Sequence, residues 1–247
     1  MIGELGQLSL CFALALSLVM ANAGLVGAGA LNGTARRIAH GASMGMMVFC
    51  LLAFGALTYA FLISDFSLRT VASNSSTLQP LVYKISAVWS NHEGSMLLWM
   101  LVLALYSGCI AALGRGGERL TSAALGVMGL LSAAFLLFIL FTSSPFLRLD
   151  PMLFEGFGLN PLLQDPGAAM HPPMLYLGYV GLSAAFAYAA AALIVGDPAQ
   201  SDNWARAARP FMLMAWITLT CGIALGSWWA YYTLGWGGFW FWDAVEN

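Results

Sequence analysis

Six stretches of this chain, near residues 5–30, 39–63, 95–113, 120–142, 174–195 and 211–231, are apolar for the roughly 20 residues that a helix needs to cross a ~30 Å bilayer core. Each is essentially free of charge. A backbone in hydrocarbon must satisfy its own hydrogen bonds, which leaves helices or a closed barrel, and barrel strands would alternate polar with apolar residues. The sequence therefore predicts an all-α, polytopic transmembrane helix bundle with about six spans in residues 1–247, read as a single membrane region. Residues 1–7 hold Glu4 but no Lys or Arg, so the opening stretch is expected to be a retained helix and not a secretory signal.

Charge sets orientation. The loops after the first, third and fifth spans carry Arg36 and Arg37, Arg115 and Arg119, and Arg206 and Arg209, while the intervening loops hold Arg69, Lys84 and Arg148. By the positive-inside rule the arginine-rich loops are cytoplasmic, which places the N-terminus, residues 64–94, 143–173 and the end of the chain outside. Only 8% of residues are charged, and the scattered basic residues offer nothing to nucleic acid. Cys11, Cys50, Cys109 and Cys221 lie in apolar runs without CxxC spacing and read as small buried hydrophobes.

The external loops are the long ones. Residues 78–89 place Leu81, Ile85, Val88 and Trp89 at helical spacing, as in an interfacial helix. Residues 143–173 read as an ordered loop, and small residues in 21–33 and 183–192 permit close helix packing. The spans lack ionisable groups, which disfavours an ion-coupled transporter and concentrates chemistry at the outer surface. His40 reads as a cytoplasmic interfacial residue. His92 follows Asn91, a candidate helix cap, and is either a headgroup anchor or a ligand. His171 precedes Pro172 and Pro173, which predicts extended backbone at His171, with the fifth helix starting just beyond. A neutral imidazole fixed there suits axial ligation of haem iron.

Residues 228–247 hold Trp228, Trp229, Tyr231, Tyr232, Trp236, Phe239, Trp240, Phe241 and Trp242, followed by Asp243 and Glu246, denser than an ordinary aromatic belt. In helical form Trp236, Trp240 and Asp243 share one face, and Gly235, Gly237 and Gly238 permit close approach of a planar ring. The acids suit orienting an imidazole or indole N–H. Arginines suit haem propionates, for which Arg69 and Arg148 are the external candidates.

Residues 236–247, WGGFWFWDAVEN, resemble the tryptophan-rich "WWD" signature of the haem-handling proteins of cytochrome c maturation, in the form of the CcmF/NrfE branch. His171-Pro-Pro-Met-Leu-Tyr176 resembles that branch's external histidine motif, and Ser90-Asn-His-Glu-Gly94 its earlier external loop. Phe239 and Ala244 stand where a tryptophan and a proline are usual. The resemblance implies a haem lyase subunit of cytochrome c-type biogenesis in a bacterial inner (cytoplasmic) membrane, or an organellar inner membrane. External haem b would pass from a haem chaperone to the CxxCH thiols of apocytochrome c, handled with its thiol subunits. It implies His171 as an axial ligand and Trp236, Trp240, Trp242 and Asp243 as the haem platform. It also places the second external ligand, and those of a resident haem b, in a C-terminal part beyond this chain, which would not attach haem alone. A haem transporter and a non-catalytic membrane scaffold are the competing readings.

Overall fold

The structure is a computed structural model that describes residues 1–29, 32–196 and 203–235. Its elements are α1 (Ile2–Gly27), α2 (Gly33–Leu62), α3 (Arg69–Asn74), α4 (Leu81–Ala87), α5 (His92–Leu113), α6 (Glu118–Thr142), a 3₁₀ turn (Pro161–Leu163), α7 (Pro166–Tyr179), α8 (Leu182–Val195) and α9 (Trp204–Trp229). A π turn, Ala230–Leu234, follows α9. The described residues contain no strand, only an isolated bridge between Leu68 and Arg148. Six spans long and apolar enough to cross a membrane are present, the fifth made of α7 and α8 together. This is a multi-span membrane protein.

The spans pack through small residues. A Cβ on Gly126 would lie 2.8 Å from the backbone N of Leu25, and one on Gly129 2.5 Å from that of Ala21, so α1 and α6 touch backbone to backbone. Such contacts supply dispersion energy where lipid removes the hydrophobic drive between helices. α7 and α9 meet in the same way, with Gly178 against Leu219 and Gly222 against Leu175. Of the cysteines only Cys50 is buried; Cys11, Cys109 and Cys221 are exposed, because the apolar surface of such a bundle is solvated by lipid.

The ends of the bundle differ in polar chemistry. At one end, Arg36 donates to the Gly27 and Gly29 carbonyls, both at 2.9 Å, and Arg119 to Ala28 O at 2.7 Å. Cations thus meet the negative end of the α1 dipole and its unpaired carbonyls. At the other end, Arg148 pairs with Glu4 at 2.6 Å and also donates to the Ser67 hydroxyl. There residues 150–160 are pinned to α3 and the α3–α4 connection: Phe157 N donates to Ala72 O (2.8 Å), Gly158 N to Ser75 O (3.0 Å), and Thr77 N to Glu155 Oε1 (2.8 Å).

Besides the exposed cysteines, two details depart from the sequence reading. The interfacial helix is shorter than residues 78–89, and its apolar stripe divides: Leu81 and Ile85 are exposed, whereas Val88 is buried and Trp89 half-buried. The fifth span begins at Pro166, eight residues before residue 174, so His171 lies inside a helix and not in extended backbone.

Candidate functional site

Asp165 starts α7. Its Oδ1 accepts from Gly167 N at 2.7 Å and Ala168 N at 3.3 Å, and Pro166 occupies the first helical position, where a missing N–H costs nothing. Pro172 and Pro173 then sit inside the helix and leave the carbonyls four residues earlier without amide partners. One of them is recovered from outside: the Trp89 indole N–H donates to Ala169 O at 3.0 Å. A strong cap before the prolines and a tertiary donor beside them outweigh the pre-proline preference for extended backbone. At the far end of α7, Leu177 O accepts the Tyr106 hydroxyl at 2.8 Å, which satisfies a carbonyl where the span breaks before α8.

His171 is thereby fixed in position. Its Nδ1 lies 3.3 Å from Gly167 O. A carbonyl only accepts, so this contact belongs to the tautomer with its proton on Nδ1, which leaves Nε2 with a lone pair. The imidazole is half-buried and lies against the Trp229 ring, with centroids 5.5 Å apart and planes inclined by 31°. The buried Trp229 indole N–H has no hydrogen-bond partner among the described residues. Beside His171 opens a cavity of about 580 Å³ lined by Trp99, Pro172, Leu175, Tyr176, Tyr179 and Leu219. That volume falls in the ~300–1,000 Å³ range of small-molecule and cofactor sites. Trp99 anchors its wall, packing on Phe135 at 5.0 Å, Tyr179 at 5.6 Å and Tyr176 at 5.7 Å between centroids.

Asp165 also joins the site to the tryptophan-rich segment. The Tyr232 hydroxyl, in the π turn after α9, donates to Asp165 Oδ1. A Cβ on Gly167 would lie 3.0 Å from both Trp229 Cβ and Tyr232 Oη, so the first turn of α7 seats against the end of α9. The chain leaves this corner through Gly235, whose φ of 66° is the left-handed conformation that glycine takes at least cost.

The other predicted residues are placed as follows. Trp236, Gly237, Gly238, Trp240, Trp242 and Asp243 lie outside the described residues. His92 is exposed at the start of α5, with Nε2 2.8 Å from Ser143 Oγ; as expected, Asn91 caps that helix by accepting from Gly94 N at 2.8 Å. Arg69 is exposed at the start of α3. Neither His92, Arg69 nor Arg148 lines the cavity beside His171. Sequence reasoning overlooked Asp165 and the Trp89–Ala169 bond. The Asp-Pro pair at 165–166 is itself a helix-start signal, whereas nothing local predicts where an indole will donate.

Comparison with known proteins gives the family of the chain. The family described as Cytochrome C assembly protein matches residues 89–247. The chain is 56% identical to the Rhodobacter capsulatus protein named "Cytochrome c-type biogenesis protein ccl1", over 100% of this chain and 38% of that relative. It is 52% identical to the Pseudomonas aeruginosa protein named "Cytochrome c-type biogenesis protein CcmF", again over 100% of this chain and 38% of that relative. A solved structure titled "Cytochrome c Heme Lyase CcmF" superposes with a TM-score of 0.86 at 35% identity, over 100% of this chain and 39% of that one. The chain thus spans less than two fifths of the length of the curated relatives it matches and aligns with their N-terminal part. It belongs to the cytochrome c assembly family, among relatives named CcmF, NrfE and CycK.

Proposed function

We propose that this chain is the N-terminal haem-holding part of a haem lyase in cytochrome c biogenesis, acting at the outer face of a bacterial inner membrane. Residues 1–247 form one membrane region of a larger bundle, whose C-terminal part supplies the second axial ligand and the ligands of a resident haem b. The observation that carries the reading is His171: a half-buried imidazole with Nδ1 turned to Gly167 O, seated on Trp229 at an aromatic cavity. Haem b in transit is the substrate. Its iron would meet Nε2 and its ring the tryptophan-rich residues 236–247, with Trp236, Trp240, Trp242 and Asp243 as platform and Gly237 and Gly238 allowing approach.

In the attachment reaction each CxxCH thiol adds across a haem vinyl group. The sulfur bonds to one vinyl carbon and the proton goes to the other as the C=C π bond opens, so no oxidant or reductant is consumed. This chain's residues hold and orient. The Gly167 carbonyl fixes the His171 tautomer, and Asp165 and Tyr232 set the angle between α7 and the segment after α9. The Trp229 ring backs the imidazole, with centroids 5.5 Å apart. Holding vinyl and thiol in register is worth several kcal/mol, roughly 7–11 at the limit for well-oriented partners. The haem chaperone, apocytochrome c and its thiol-handling subunits are the partners this requires.

The test is cytochrome c maturation in cells whose only copy of the full-length protein carries His171→Ala. Holocytochrome is expected to vanish while the variant still accumulates in the membrane. Normal maturation would defeat the reading.

A further inference from the structure

A second cavity, of about 680 Å³, opens at the arginine-rich end of the spans, between α2, α5 and α6 and away from His171. Its lining includes Arg36, Arg37, His40, Glu118, Thr121 and Leu125. Most polar groups here are already committed. Arg36 serves the end of α1 and pairs with Glu118 at 2.6 Å, and the hydroxyls of Thr121 and Ser122 donate to Arg115 O and Gly24 O, both at 3.0 Å. Arg37 and His40 are different. One helical turn apart on α2, both are exposed, and neither makes a side-chain hydrogen bond or ion pair among the described residues. They stand near the positive end of a 30-residue helix, and the adjacent Glu118 is neutralised by Arg36. Deeper in, the lining turns apolar at the buried Ala111 and Leu125.

We infer that this cavity binds the headgroup of an anionic phospholipid, with Arg37 and His40 facing the phosphate and the apolar floor facing the start of an acyl chain. A cationic rim above an apolar floor, at the ends of three spans, matches the depth at which a lipid passes from headgroup to chain. A soluble phosphate would use only the rim. Among lipids, the net positive lining selects an anionic headgroup over a zwitterionic one.

The experiment is native mass spectrometry of the full-length protein in mild detergent, titrated with phosphatidylglycerol or with phosphatidylcholine of the same chains. Phosphatidylglycerol should be retained preferentially. Arg37→Gln should weaken that retention about fivefold, the equivalent of one basic residue near a lipid surface. Arg37→Gln with His40→Gln should remove the preference, while Arg206→Gln, an exposed arginine on α9, leaves it intact. Equal retention of the two lipids, or a preference that survives in the double variant, would overturn the inference. So would millimolar inorganic phosphate displacing phosphatidylglycerol and raising Tm as much as the lipid does, since the site would then recognise free phosphate.

Discussion

Trp89 does at residue scale what the proline pair in α7 would otherwise leave undone. Its indole N–H fills the place of the amide that Pro173 lacks, on the carbonyl of Ala169. Trp89→Phe keeps the ring and removes the donor, so it should destabilise the fold by about 1–2 kcal/mol, the cost of a buried carbonyl left unpaired. In a Pro173→Ala background the restored amide can serve Ala169 itself, and the same substitution should then cost less than half as much. Thermal unfolding of the four proteins of this cycle measures the coupling; equal costs in both backgrounds would show that the bond has no bearing on the prolines. Glu155 provides a pH-dependent counterpart outside the spans. Hydrogen bonds from the Thr77 hydroxyl and amide hold its carboxyl below the usual range. Since the folded-state value lies below the unfolded one, these bonds contribute fully at neutral pH and are lost as pH falls through the folded-state value. Protection of residues 150–160 from proteolysis should therefore drop on acidification, and Glu155→Gln should start from the unprotected level with little further pH dependence.

The elements show what the sequence makes legible. Span number and type followed from charge-free apolar runs, because lipid permits few alternatives. The Asn91 cap was equally readable, since capping is local chemistry. The start of the fifth helix was not, although its cap and first proline were in view. Two prolines just ahead argued for a break, and the compensating donor comes from a residue 80 positions earlier. The interfacial stripe of 78–89 failed for a related reason: helical spacing sorts residues by face but cannot say which will be covered by α2 and α7. For the candidate site, His171 stood out in the sequence by its place before two prolines, and the structure puts it inside α7 with Nδ1 3.3 Å from Gly167 O. Its neighbours Trp99 and Trp229 come from α5 and α9: Trp229 is brought in by the close α7–α9 packing at Gly178 and Gly222, and Trp99 stacks on Tyr176 and Tyr179 of α7.

At the scale of the whole molecule, the proposed function requires an orientation and a substrate. Orientation rests on arginine placement, and single cysteines in an otherwise cysteine-free protein can check it. Phe154→Cys, in the loop beside Glu155, should react with an impermeant maleimide added to intact spheroplasts, and Arg115→Cys should react only after lysis. The reverse pattern would turn the bundle over and remove His171 from the outer face. In the proposed function His171 ligates external haem iron through Nε2. Its most direct test is the absorption spectrum of the purified full-length protein carrying His171→Gly, with and without imidazole in the buffer. The external haem signal is expected to be lost, and millimolar imidazole, filling the vacated space as a free ligand, to restore it. An unchanged haem spectrum in the variant would contradict it, as would a loss that imidazole cannot repair in a protein that melts at the wild-type temperature.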